Sequence, residues 1–88
     1  MILGKISGTL VATKKDPGLV GFKFLIVEEL SIKEAPTGKF HIAVDTVGAG
    51  AGETVLLSTG SSARQTSKTM KKPVDSAVIA IVDTISLS

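Results

Sequence analysis

The chain has 88 residues, the size of one small domain; 43% of them are apolar, and the mean hydropathy is +0.39. The absence of cysteine excludes disulfides, thiolate metal sites and cysteine nucleophiles. Ten basic and eight acidic side chains leave a formal net charge of +2, too small a bias to indicate a polyanionic partner. So small a domain cannot hide this much apolar surface alone. We therefore expect residues 1–88 to form one domain that self-associates.

The sequence contains no recognisable signal peptide or membrane-spanning segment. The opening MILGKISG lacks a basic segment followed by a long apolar run, and no stretch approaches roughly 18 uninterrupted apolar residues. We therefore expect a protein that is not secreted and has no membrane partner.

Five segments have the alternation or the β-branched composition of strands. A period of two over MILGKISGTLVATKK predicts a first strand ending near Lys15, and DPGL predicts a type II turn with Pro17 and Gly18 at its centre. The other four strands are predicted at Phe22–Leu30, Phe40–Asp45, Glu53–Ser58 and Ser76–Ile85. Apolar residues fill both faces of the last of these, so we expect that strand to be covered on both sides.

The segment GSSARQTSKTMKKP predicts one short helix between strands 4 and 5, from about Ser62 to Thr69. Ser62 and Gln65 have the spacing of a capping box, and Pro73 marks the limit of the helix. The predicted fold class is all-β: a small five-stranded OB-like antiparallel β-barrel, because closure removes strand edges that would otherwise pair with other chains.

The stretch VDTVGAGAGE places alternating glycines directly after a strand, where a phosphate-binding loop would lie. The dinucleotide fingerprint requires glycine at the last of six positions and a helix after it, but this chain has Glu53 followed by a strand. No lysine followed by serine or threonine provides a Walker loop. The glycines therefore favour a tight corner or a subunit contact over a nucleotide site.

No catalytic, cofactor or metal site is predicted. His41 is the only histidine and has no ligand-type residue at metal-binding spacing, so we interpret it as structural. The serines of GSSAR have no histidine partner at a recognisable offset. Nothing in the sequence pairs any two of the carboxylates for acid–base chemistry.

The lysines are interpreted as a solvated face. Single-strand binding by an OB-like face normally needs stacking aromatics as well as cations, and the chain has no tryptophan or tyrosine. We therefore expect no nucleic-acid partner. The lysines considered are Lys14, Lys15, Lys68, Lys71 and Lys72.

Four segments together carry a family resemblance over nearly the whole chain: MILGKISGTLVATKK, GFKFLIVEEL, AVDTVGAGAGETVLLSTGSSAR and PVDSAVIAIVDTI. In order and spacing they resemble the EutN/CcmL family of bacterial microcompartment vertex proteins. The combination of DTVGAGAGE, GSSAR and PVD with IVD is specific, and the VGAGAGE form is closer to members from catabolic compartments than to those of carboxysomes.

The resemblance implies a structural protein and not an enzyme. Members of the family form homopentamers that close the five-fold corners of shells in the bacterial cytoplasm, where the flat facets consist of a different, hexameric protein. The resemblance also implies no cofactor. Arg64 has a fork geometry suited to a carboxylate or a carbonyl across an interface, and Asp75 and Asp83 are the carboxylate partners that we expect for it. The complete set of subunit-interface candidates is Asp45, Gly48, Gly50, Gly52, Glu53, Arg64, Asp75 and Asp83.

Two alternatives remain from the sequence. The first is an OB-like binding module for single-stranded nucleic acid or a peptide, which predicts a monomer or small oligomer with strongly salt-dependent oligonucleotide binding. The second, and weakest, is an enzyme with an active site that the sequence does not reveal.

Overall fold

The computed structural model describes residues 1–88 and shows a closed five-stranded barrel. The two 3-10 helices, Pro17–Leu19 and Gly60–Arg64, follow β1 and β4 respectively, and neither has the length or apolar character to cross a membrane. The prediction of a small all-β barrel with five strands is confirmed. The strands are β1 (Ile2–Leu10), β2 (Phe24–Leu30), β3 (Pro36–Asp45), β4 (Thr54–Thr59) and β5 (Ser76–Ile81).

The strand order around the barrel is β1-β2-β3-β5-β4, and β4 closes on β1. All neighbours are antiparallel except β3 and β5, which are parallel through the pairs Val44↔Ala77 and Asp45↔Val78. This pair is the one departure from the antiparallel arrangement expected from the sequence. Because five strands cannot alternate in direction at every step of a closed ring, one neighbouring pair has to be parallel.

The barrel interior is filled by side chains of alternate strand residues. Gly4 lets β1 approach β2, since a Cβ atom at this position would clash with Val27 Cγ1 and lie 3.1 Å from the Glu28 carbonyl oxygen. The interior side chains form one cluster of eight buried residues. Because full burial of one aliphatic side chain contributes roughly 1.5–3 kcal/mol, this interior cluster is the main source of barrel stability. Its members are Ile6, Leu25, Val27, Ala43, Ala49, Val55, Leu57 and Val78.

A second apolar cluster lies outside the barrel wall, where the connections after β1 and β4 cover part of the sheet. Ala77 of β5 belongs to this outer cluster and Val78 to the interior, and both are fully buried. The prediction that β5 is covered on both faces is therefore confirmed for its first half, whereas residues 79–81 are half-buried. The outer cluster consists of Val44, Ala63, Val74 and Ala77, with Leu19, Phe22, Phe24 and Ile79 packed against it.

The helix between β4 and β5 differs from the one predicted at Ser62–Thr69. It is a 3-10 helix over Gly60–Arg64, and turns follow it. The Ser62 hydroxyl donates to the Thr59 carbonyl at 2.6 Å and caps nothing, so the predicted capping box is absent. The hydroxyl of Thr69, which is fully buried, donates to the Ala63 carbonyl at 2.6 Å and so competes with continuation of a helix.

The turns also differ from the sequence expectations. The DPGL segment is a 3-10 helix in which the Asp16 carboxylate accepts the Gly18 N–H at 2.8 Å, and Gly18 lacks the positive φ of a type II turn. The β2–β3 turn occupies residues 31–35, where Glu34 adopts φ 64°, so β3 begins at Pro36 and not at Phe40. The first and fifth strands end earlier than predicted, at Leu10 and Ile81.

Candidate assembly surface

The glycine loop between β3 and β4 supplies its own anion. Asp45 Oδ1 accepts the backbone N–H groups of Val47 and Gly48, each at 3.1 Å, and of Ala49 at 3.2 Å. Glu53 Oε1 accepts the next N–H, from Gly50, at 2.6 Å. These amides would cradle a phosphate in a nucleotide-binding loop, but here two carboxylates of the same chain take all four. The loop is therefore a closed corner.

The end of the corner is held against β1 by two backbone hydrogen bonds. The backbone N–H of Gly52 donates to the Ile6 carbonyl, and the N–H of Ile6 donates to the Glu53 carbonyl, both at 2.9 Å. Gly48 and Gly52 have φ values of 77° and 81°, which favour glycine, whereas Gly50 has no positive φ. The loop thus owes its shape to contacts within the chain.

Arg64 lies at the end of the second 3-10 helix with an exposed side chain. One of its guanidinium nitrogens, Nη1, donates to the Val74 carbonyl at 2.9 Å and so ties the helix to the segment before β5. The two carboxylates suggested as its partners are exposed and lie at opposite ends of β5, Asp75 before the strand and Asp83 after it. Neither forms an ion pair with Arg64 within the chain.

One polar pair joins β2 and β3 and was not evident from the sequence. His41 Nε2 lies 2.8 Å from Glu29 Oε1, which is the one ion pair of the chain when the histidine is protonated. The hydrogen bond to His41 holds the pKa of Glu29 below its ordinary value of 4.5 against the opposing effect of burial, while Thr37 and Lys39 also lower it. The pair is diagonal across β2 and β3, since His41 pairs directly with Val27. The structural interpretation of His41 agrees with this geometry.

No cluster of three or more histidine, cysteine or acidic side chains has an arrangement that would hold a metal ion. The interface candidates do not converge on one centre either. Asp45, Glu53 and the glycines form the loop, Arg64 and Asp75 lie near the start of β5, and Asp83 follows its end. The arrangement offers surfaces for contact and no assembled reaction centre.

One surface that the sequence did not reveal is the outer side of β2 and β3, here called the β2–β3 face. Its exposed apolar residues are Phe40 and Ile42, which are 57% and 47% exposed. This face carries no basic residue, so it lacks the cationic groups that nucleic-acid binding on an OB-like face requires. Cross-strand pairing defines its six members as Phe24, Val44, Ile26, Ile42, Glu28 and Phe40.

The chain is thus a small OB-like barrel with a loop that satisfies its own backbone donors and an exposed apolar sheet face. The chain belongs to the EutN/CcmL family, whose model, described as "Ethanolamine utilisation protein EutN/carboxysome", matches residues 1–83.

Individual relatives agree with this assignment. The chain is 49% identical to the bacterial microcompartment shell vertex protein GrpN of Rhodospirillum rubrum (strain F11), over 97% of this chain and 96% of that protein. It is 44% identical to the carboxysome shell vertex protein CcmL of Gloeobacter violaceus, over 99% of this chain and 87% of that protein. The solved structure of the Rhodospirillum rubrum GrpN, described as a pentameric microcompartment shell protein, matches with a TM-score of 0.93 and 48% identity across the whole of both chains.

Proposed function

We propose that this chain forms a homopentamer that closes the five-fold vertices of a bacterial microcompartment shell in the cytoplasm. The observation that carries the proposal is the full-length similarity to GrpN, a pentameric microcompartment shell protein that superimposes with a TM-score of 0.93. The similarity favours a structural role over nucleic-acid binding, and an active site finds no support in the arrangement of side chains.

The proposed mechanism is mechanical. A ring of identical chains uses a heterologous contact, in which one face of each copy meets a different face of the next. Five such copies form a wedge-shaped ring that supplies the curvature missing from a flat sheet of hexameric facet proteins. On the basis of its VGAGAGE sequence, we propose that the compartment is a catabolic one.

The interface candidates divide into two roles in this proposal. The carboxylates of Asp45 and Glu53 already accept hydrogen bonds from their own loop, so their role is to fix the shape of the corner. Gly48, Gly50 and Gly52 have no side chains, so a neighbouring copy can approach the backbone there. A guanidinium has five N–H donors, and Arg64 uses one of them on Val74. Its remaining donors are free to reach an acidic residue of the next copy.

The acidic partners proposed for Arg64 are Asp75 and Asp83. Arg64→Ala tests this role: we expect a smaller pentamer fraction in native mass spectrometry at low micromolar concentration. Arg64→Lys is the matched variant, because it keeps the charge but loses the fork geometry. If Arg64→Ala assembles like the wild type, Arg64 has no role across the seam.

Native mass spectrometry of the wild-type chain at low micromolar concentration tests the proposed function. A dominant species of five subunits is the expected result, and the purified ring should then convert open sheets or tubes of a hexameric facet protein into closed shells in electron micrographs. A clean monomer that shifts the mobility of an oligonucleotide at low salt would overturn the proposal in favour of a binding module.

A further inference from the structure

One edge of β3 is paired with another strand along only part of its length. β3 pairs with β2 from Phe24↔Val44 to Glu28↔Phe40 without a register shift, but it pairs with β5 only at Val44 and Asp45. The remaining part of β3, toward its start, therefore has no strand on its other side. An unpaired strand edge is a template for an additional strand.

The direction of the backbone groups on this edge follows from the pairing. The N–H of Asp45 donates to the Lys23 carbonyl, on the β2 side of β3. Because successive residues of a strand alternate, the N–H and C=O groups of Ile42 and Phe40 point to the opposite side, away from β2. If the parallel pairing of β3 with β5 continued, the N–H of Ile42 would donate to the Val74 carbonyl. That carbonyl instead accepts a hydrogen bond from the Arg64 guanidinium.

A groove runs along this free edge, here called the β3-edge groove. It consists of two adjoining depressions of about 490 and 210 Å³, which share Ile42, Asp75 and Ser76. The larger one also has Ile2 and Phe40 in its wall. The groove therefore combines exposed apolar side chains with unpaired backbone donors and acceptors along one line.

The groove wall also holds a buried polar group without a partner. Ser76 is 8% exposed, and its hydroxyl forms no hydrogen bond within the chain. A buried hydroxyl without a hydrogen-bond partner destabilises the fold, because it has lost its hydrogen bonds to water. The isolated chain thus lacks both backbone and side-chain partners at the same place.

We infer that the β3-edge groove is where the next copy of this chain docks in the ring, with an extended segment against the free edge of β3. This inference rests on the proposed pentamer. A ring of identical chains needs an acceptor surface on every copy, and this groove is the acceptor that the fold provides. The bordering β2–β3 face has no basic residue, so the chemistry of the surface fits a protein chain and not a polyanion.

Ile42→Lys and Phe40→Lys are the variants that test the inference. Both side chains are about half exposed in the isolated chain, so the substitutions leave the barrel interior intact. A charge buried at the centre of an interface raises the protomer concentration needed for pentamers by about tenfold or more. Ile32→Lys is the matched control, because Ile32 is 60% exposed in the β2–β3 turn and lies outside the groove.

Hydrogen exchange of the wild type provides a measurement that needs no variant. The amides of Phe40 and Ile42 should exchange more slowly in the pentamer than in monomers obtained by dilution, measured on peptides that cover residues 39–43. A pentameric wild type with loss of pentamers in both groove variants, retention in Ile32→Lys and protected amides supports the inference.

The failure of the inference is distinguishable from failure of the proposed function. If the wild type is pentameric, but both groove variants assemble normally and the amides are unprotected, the groove is not the seam while the pentamer stands. If the wild type is monomeric at all concentrations, both are overturned. Loss of oligonucleotide binding in the groove variants of such a monomer would assign the groove to nucleic acid.

Discussion

The carboxylate of Asp45 lies where a bound phosphate would lie in an anion-binding loop. It accepts three consecutive backbone N–H groups, from Val47, Gly48 and Ala49. Hydrogen bonds to a charged acceptor are stronger than neutral ones, so this single side chain orders the corner without a ligand. A glycine-rich loop and an acidic residue at its start are therefore one structural unit in this chain.

Replacement of Asp45 measures the strength of this unit. We expect Asp45→Ala to lower the free energy of unfolding by about 1–3 kcal/mol, because three backbone donors lose their acceptor at once. Urea unfolding at one fixed protomer concentration is the measurement. Glu34→Gln is the control, since Glu34 is exposed in the β2–β3 turn, away from the loop and from the interface candidates. Equal stability of the two variants would contradict the role of the Asp45 carboxylate.

The pair of Glu29 and His41 predicts a specific dependence of stability on pH. The folded chain lowers the pKa of Glu29 below its ordinary value of 4.5, chiefly through the hydrogen bond to His41. A carboxyl with a lowered folded pKa stabilises the fold above its ordinary pKa, and this contribution is lost as the pH falls through the folded value. The stabilisation by Glu29 is thus present at neutral pH and absent in strong acid.

The variant Glu29→Gln reveals this contribution as a difference from the wild type. We expect the wild type to be the more stable of the two at pH 7, and its advantage to shrink as the pH falls below about 4.5. Urea unfolding across this pH range is the measurement. The same substitution in a His41→Ala background is the control and should show a weaker pH dependence. An advantage that grows toward acid would have the wrong sign.

At the scale of the strand, Gly4 sets how closely β1 approaches β2. A Cβ atom at Gly4 would overlap Val27 Cγ1, whereas a Cβ atom at Gly8 in the same strand would lie 3.5 Å from Ile26 Cδ1, an ordinary contact. We expect Gly4→Ala to lower the free energy of unfolding by about 1–3 kcal/mol through overpacking. Gly8→Ala should be near neutral in the same urea measurement. Equal losses of unfolding free energy in the two variants would show that a side chain at either glycine of β1 destabilises the barrel. That result would contradict a specific role for the contact between Gly4 and Val27.

The strands were predictable because their signal is local. The alternation of β1 and the apolar residues on both faces of β5 depend only on neighbouring positions in the sequence. The helix prediction rested on the spacing of Ser62 and Gln65 and failed because the Thr69 hydroxyl contacts the Thr66 hydroxyl at 2.6 Å and donates to a backbone carbonyl. The start of β3 was predicted at Phe40 but lies at Pro36, because Glu34, and not a glycine, takes the positive φ in the turn before it.

For the candidate site too, the features that depend on neighbouring residues were predictable from the sequence, and those that depend on the fold were not. The sequence showed that Glu53 opposes a phosphate-binding loop, which is a local observation, but not that Asp45 fills the loop. The contact between Glu29 and His41 depends on the register of β2 against β3, and no spacing in the sequence contains that register. The β3-edge groove depends in addition on where β5 begins beside β3, which only the closed barrel determines.

At the scale of the whole molecule, the proposed ring links stability to concentration. If the pentamer forms only from folded protomers, assembly stabilises the folded state and the melting temperature rises with protomer concentration. We expect a clear rise for the wild type over about a hundredfold range of concentration in scanning calorimetry, and a much weaker one for Ile42→Lys. A wild-type melting temperature that is constant over this range would contradict a ring held by exchangeable subunits.

The position of β5 in the barrel has a consequence for synthesis of the chain. β5 lies between β3 and β4, and closure also requires β1 to pair with β4 through Ile2↔Leu57, residues far apart in sequence. Pairings between distant segments form slowly compared with local ones. Because β5 is the last of the five strands to be synthesised, the nascent barrel has two open strand edges, on β3 and β4, until β5 is available. The barrel wall therefore closes only after β5 has left the ribosome, although the other four strands can pair before it.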